Sequence, residues 1–166
     1  MKSAEITKNS TQEFFHKICV VGGGLTGAIM SLLLKNSNLF KSHEIGWINP
    51  KIAAPDDIRT TFYNKKSLEL LESLGLLKNL SKKDYTFINK IQVFGMNNSS
   101  PLEWDYSGSK LNFGAVIKNN IILKSVTEQL NDIKQYDSLV TNTHHDDFER
   151  TLYLNDFVLF EFDVNP

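Results

Sequence analysis

An unbroken apolar run, Ile18-Cys19-Val20-Val21, gives way to glycines and re-emerges as Ala28-Ile29-Met30-Ser31-Leu32-Leu33-Leu34. The first run has no polar alternation, which predicts a parallel strand covered on both faces, and the second predicts a helix. Asn36-Ser37-Asn38 ends the helix, and Glu44-Ile45-Gly46-Trp47-Ile48-Asn49 supplies a second short strand, closing a β-α-β unit. Residues 50–55 form a loop. Leu68, Leu71 and Leu74, widened by Leu70 and Leu77, then fit an amphipathic helix that stops near Gly75. Residues 87–94 and 102–106 predict strands joined through Asn97-Asn98-Ser99-Ser100-Pro101, and a turn at Ser107-Gly108-Ser109 leads to a strand over 113–117. Asn119 or Asn120 caps a helix with Ile122, Val126 and Leu130 on one face. From Tyr136 onward the pattern alternates loosely, with strands over 152–154 and 158–162 about Asn155-Asp156 and no clear terminal element. The fold class that follows is α/β, a Rossmann-like β-α-β unit with an inserted antiparallel β-sheet.

Composition narrows the function classes. The 166 residues carry 18 Lys+Arg against 19 Asp+Glu, with no basic cluster, so nothing points to nucleic acid as a partner. Cys19 is the single cysteine, which excludes a disulfide framework and predicts a reduced, cytoplasmic compartment. Inside a strand it reads as a small buried residue and not as an activated thiol. Residues 1–16 are polar, carry Glu5 and Glu13, and lack a signal-like apolar core; they read as a flexible tail. The longest apolar stretch, around 28–34, is far short of the roughly 20 residues that span a bilayer. The expectation is a soluble or at most peripheral chain.

The glycines carry the candidate chemistry. Gly22, Gly24 and Gly27 have the G-x-G-x-x-G spacing between strand and helix that a dinucleotide site requires, although glycines also punctuate ordinary strand-to-helix turns. Gly24 allows a backbone to pass close to a pyrophosphate, and Gly27 brings the helix against the sheet with small Ser31 one turn later. Leu25 and Thr26 then open the helix, whose unpaired N–H groups and positive dipole end favour an anion. Asn49 stands at the end of the second strand, where such folds place an acidic ribose ligand; an amide accepts the same hydroxyl without the strengthening charge. Asp56 and Asp57 follow in a loop, beside Arg59, which is either half of a surface ion pair or a fork over a phosphate or flavin edge. His144-His145-Asp146-Asp147 reads as solvated loop with no metal site, and Trp47, Trp104 and Tyr106 read as packing residues.

Three blocks together resemble the N-terminal part of the flavin-dependent aromatic hydroxylases, closest to the ubiquinone-biosynthesis hydroxylase family. Val20-Val21-Gly22-Gly23-Gly24-Leu25-Thr26-Gly27 is similar to the family's FAD-binding start. Asp57-Ile58-Arg59 with residues 67–75 is similar to its D-x-R segment and the helix after it. Phe113-Gly114-Ala115-Val116-Ile117-Lys118-Asn119 resembles its return from the substrate sheet to the flavin. The resemblance implies FAD as cofactor, held by Gly22, Gly23, Gly24, Leu25, Thr26, Gly27, Asn49, Arg59 and Asn119, with no catalytic residue assigned. It implies a partial FAD-binding domain over 17–166 that includes the start of the substrate-domain sheet at about 84–117. The parent reaction would insert one oxygen atom from O2 into an aromatic ring of a polyprenylated quinone precursor, with NAD(P)H as reductant. Asn49 departs from the family's acidic ribose ligand, and the family's later Asp-Gly and Gly-Asp segments have no counterpart before Pro166. The chain is therefore expected to be truncated, with a second chain completing the fold and attachment to the inner face of a membrane both open. Two alternatives stand beside this reading: a non-catalytic nucleotide-binding or interaction module, and an NAD(P)-dependent dehydrogenase fragment.

Overall fold

A computed structural model describes residues 12–50, 58–95, 101–145, 149–155 and 157–162. The chain divides into two units, one formed by residues 1–53 and 129–166 and the other by 54–128.

The first unit is built on a parallel sheet. Strand β2 (Ile18–Val21) pairs with β3 (Ile45–Ile48), and β3 with β9 (Lys134–Tyr136), in the order β2-β3-β9. Helix α1 (Leu25–Asn36) crosses from β2 to β3 and packs on both, burying Ala28, Ser31 and Leu32. This is the β-α-β unit that the apolar pattern predicts. The helix ends at Ser37, and Asn38 takes a left-handed φ of 59°, a conformation asparagine tolerates well. The burial is distributed differently from the expectation. All four residues of β3 are buried, whereas β2 is half-buried and Val21 is 56% exposed. The cause is position: among the described residues, β3 is flanked by strands on both sides and β2 on one. Cys19, expected to be buried, is correspondingly only half-buried.

Beside it lies a four-stranded sheet in the order β1-β12-β11-β10, from strands β1 (Gln12–His16), β10 (Val140–His145), β11 (Glu149–Leu154) and β12 (Phe157–Phe162). Strand β1 runs parallel to β12, and the other pairs are antiparallel. Three expectations are corrected here. The tail predicted over 1–16 becomes strand from Gln12, because its Phe14 packs into a core of Ile48, Tyr136, Leu154 and Leu159; residues 1–11 lie outside the described residues. The loose C-terminal region contains the two strands expected over 152–154 and 158–162, within β11 and β12, but adds β10 to make a meander of three. His144 and His145, read as loop, sit in β10 opposite Thr151 and Arg150.

The second unit holds the antiparallel insert. Strands β4 (Thr60–Asn64), β8 (Gly114–Lys118) and β5 (Tyr85–Ile88) form a sheet in the order β4-β8-β5, so a strand from outside residues 84–117 joins it. Helix α2 (Lys65–Ser73) packs on β4 and β8; Asn64 caps it, its side-chain oxygen accepting the Ser67 N–H at 2.9 Å. The strand predicted over 87–94 is two strands, because the chain breaks at Asn89 and β6 (Lys90–Val93) pairs instead with β7 (Leu102–Asp105) in a separate ribbon. The connection at 97–100 lies outside the described residues. Helix α3 (Asn119–Gln129) follows β8 directly and buries Ile122 and Val126. Among the described residues, no helix is long and apolar enough to cross a membrane.

Candidate functional site

The glycine loop is fixed from below by β3. Gly22 adopts φ +133°, a backbone state closed to ordinary side chains; its N–H donates to Ile48 O at 2.9 Å, and its own carbonyl accepts the Trp47 indole N–H at 2.9 Å. Trp47 is fully buried, so its indole N–H requires an acceptor, and the loop supplies one. Sequence reasoning assigned Trp47 to packing alone. The missed signal was a lone indole in a strand that ends beside a glycine turn. The Gly22 carbonyl also sets the demand at Gly27, where a Cβ would stand 2.2 Å from it. The helix therefore starts hard against the loop. Ser31 follows one turn later, donating its hydroxyl hydrogen to Gly27 O at 2.9 Å.

At the mouth of the loop, Gly24 is the N-cap of α1 and makes no side-chain cap bond, and the first turn contains no acidic residue. The N–H groups of Leu25, Thr26 and Gly27 precede the first intrahelical bond, which runs from Ala28 N to Gly24 O at 3.0 Å. A Cβ added at Gly22 or Gly24 would meet nothing within 4 Å, so the space against these backbones is open. Open backbone, uncapped donors and no local negative charge together fit a pyrophosphate.

Asn49 is brought to the same place. Its N–H donates to Tyr136 O at 2.9 Å, and its side-chain oxygen lies over the loop, 2.0 Å from where a Cβ on Gly23 would sit. Gly23, the unconstrained x of the motif, is thus the position that makes room for Asn49.

The remaining candidates belong to the second unit. The Arg59 carbonyl accepts the Asn119 N–H at 3.0 Å, and the Asn119 side-chain oxygen accepts the Thr61 hydroxyl at 2.7 Å. This follows from register, since Thr60 pairs with Lys118 and the residues just beyond the pair must meet. Two residues 60 positions apart in sequence thereby share one strand end. Asp56 and Asp57, the ion-pair partners considered for Arg59, lie outside the described residues, as do Asp146 and Asp147. Among the described residues, no group of three His, Cys, Asp or Glu side chains could hold a metal ion. The same unit contains an apolar cleft of about 230 Å³ lined by Leu68, Leu77, Tyr85, Phe87 and Ile117. Trp104 and Tyr106, read as packing residues, are 49% and 39% exposed, although Tyr106 stacks on Phe113 with ring centres 4.5 Å apart.

No family model matches the chain. Over 167 residues it is 25% identical to the mitochondrial ubiquinone biosynthesis monooxygenase COQ6 of Dictyostelium discoideum, covering 88% of this chain and 34% of that protein. Over 131 residues it is 27% identical to the COQ6 of Drosophila melanogaster, covering 74% of this chain and 27% of that protein. It therefore spans about a third or less of the length of these curated relatives. Among solved structures, p-nitrophenol 4-monooxygenase PnpA of Pseudomonas putida DLL-E4 superposes with a TM-score of 0.66 at 15% identity, covering 91% of this chain and 40% of that one. The flavin-dependent monooxygenase PieE, solved in complex with FAD and substrate, gives 0.64 at 12% identity, covering 90% and 29%. Those identities show the fold alone, and the two sequence relatives, both ubiquinone biosynthesis monooxygenases, make the chain similar to part of an FAD-dependent aromatic hydroxylase.

Proposed function

We propose that this chain is the FAD-holding part of a flavin-dependent monooxygenase that hydroxylates the aromatic ring of a polyprenylated ubiquinone precursor. The observation that carries the reading is the open glycine loop with Asn49 laid across Gly23, in a chain whose relatives are COQ6 proteins. In this proposal the N–H groups at the start of α1 and the backbones of Gly22, Gly23 and Gly24 hold the pyrophosphate. Leu25 and Thr26 present the first free amides, and Gly27 keeps the helix close enough for them to reach. Asn49 accepts a hydrogen bond from the adenosine ribose. Arg59 and Asn119, joined through the backbone, stand by the flavin. FAD, when bound and reduced, supplies the activation of O2 that no side chain can provide. This chain's share is to hold and orient the cofactor; the segments that position the aromatic ring and exclude water come from polypeptide beyond the matched third. NAD(P)H serves as the reductant.

A second reading, an interaction module, draws on the β6–β7 ribbon. Its polar face is tied by Lys90 to Glu103 at 2.9 Å and to Asp105 at 3.4 Å, while Val93, Leu102 and Trp104 on the other face are about half exposed or more. Titration with FAD and, separately, NAD under fluorescence and thermal unfolding separates the readings. Saturable FAD binding that raises the melting temperature supports the flavin assignment. Self-association by a cooperatively folded chain that binds neither nucleotide supports the module.

A further inference from the structure

We infer that His16 and Tyr136 are positioning residues for Asn49, joined in a charge-neutral clamp that acid releases. The inference rests on Asn49 being the ribose contact proposed above. His16 closes β1 and is 6% exposed, Nδ1 lying 3.1 Å from His43 O and Nε2 2.6 Å from Tyr136 Oη. A carbonyl only accepts, so Nδ1 holds the proton and Nε2 receives the hydrogen bond donated by the Tyr136 hydroxyl. Gly46 makes the socket: a Cβ there would come 2.8 Å from the His16 ring and 3.1 Å from Cys19 Sγ. Tyr136 ends β9 opposite Ile48, and its carbonyl takes the Asn49 N–H at 2.9 Å. One residue thus connects the buried imidazole, through its hydroxyl, to the residue lying across Gly23, through its carbonyl.

The surroundings keep this pair neutral. On the 3-10 turn Ser42–Glu44 stand His43 and Glu44, the latter ion-paired with Lys17 at 2.7 Å. On β9, the Lys134 ammonium lies 5.7 Å from the Tyr136 ring centre and 4.9 Å from that of Phe14 on β1. Strand β2 contributes Cys19, and β3 contributes Gly46 with no charge. Burial pushes His16 below its ordinary 6.5; the His43 carbonyl opposes this, and Lys134 and His43 reinforce it. Burial raises the Tyr136 hydroxyl, which stays protonated. Adding a proton at Nε2 sets a second donor against the hydroxyl and places a cation near Lys134. Because the folded chain binds this proton less readily than the unfolded one, the clamp is intact above about pH 6.5 and weakens as pH falls below it.

The test uses the whole chain and its Tyr136→Phe variant. Nitrogen NMR of the His16 ring is expected to show the Nδ1–H tautomer and a titration midpoint below 6.5. The Asn49 amide, corrected for intrinsic exchange, is expected to lose protection on acidification in the wild type, and at all pH values in Tyr136→Phe. The FAD dissociation constant is expected to rise roughly two- to tenfold as pH falls through the measured His16 midpoint, and FAD binding is expected to be weak but pH-independent in the variant. An Nε2–H tautomer, a midpoint at or above 6.5, or an Asn49 amide indifferent to both pH and the hydroxyl overturns the clamp, with or without cofactor. If FAD binds at no pH, the proposed function falls instead, and the ring and amide measurements still decide the clamp.

Discussion

At the scale of single residues, two neighbouring glycines make opposite demands. At Gly27 the obstacle to a side chain is the Gly22 carbonyl, part of a backbone held at both ends, so Gly27→Ala must move the loop. We expect a loss of about 1–3 kcal/mol in denaturant unfolding, together with loss of FAD binding. At Gly23 the obstacle is the end of the Asn49 side chain, which swings away by rotation. Gly23→Ala is therefore expected to unfold closer to wild type than Gly27→Ala while binding FAD as weakly as Asn49→Ala; equal destabilisation of the two glycine variants would contradict this. Asn49→Glu restores a charged acceptor, and a flavin fluorescence titration is expected to show FAD bound roughly threefold or more tighter. An unchanged or weaker affinity would mean that position 49 does not face the ribose.

At the scale of elements, β3 and not β2 is the centre of the parallel sheet, and the fully buried Trp47 links it to the loop above. Trp47→Phe keeps an aromatic ring but removes the indole N–H and leaves space, which should cost about 1–3 kcal/mol in denaturant unfolding. Cost without a drop in FAD affinity would show that Gly22 needs no anchor. The β-α-β unit was legible because its signal is local: an apolar run, glycines at fixed spacing and a 3.6-residue stripe lie within 40 positions. Strand β1 was not legible, since its partner β12 lies some 145 residues away and a polar segment becomes a strand only once Phe14 finds the core formed by Ile48 and Tyr136. The break at Asn89 was hidden for the same reason, because pairing with β7 redirects a run whose side chains alone read as continuous. Asn49, Arg59 and Asn119 were candidates by place in the chain, but the Thr61–Asn119 bond and the Tyr136 carbonyl that receives the Asn49 N–H depend on tertiary register, which no sequence spacing encodes.

At the scale of the whole molecule, the glycine loop with Asn49 belongs to one unit and the Arg59–Asn119 strand end to the other. The chain matches about a third or less of its curated relatives, and in the proposed function the aromatic ring is handled by further polypeptide. In the proposed function the first task of the part in hand is to bind FAD. The most direct measurement is a fluorescence titration of the purified chain with FAD, repeated with NAD, with hydrogen exchange followed in both units. The account predicts saturable binding of FAD but not NAD, with protection rising at Gly22–Gly27, Asn49, Arg59 and Asn119. A cooperatively folded chain that leaves FAD free in solution, or that takes NAD in its place, would contradict it.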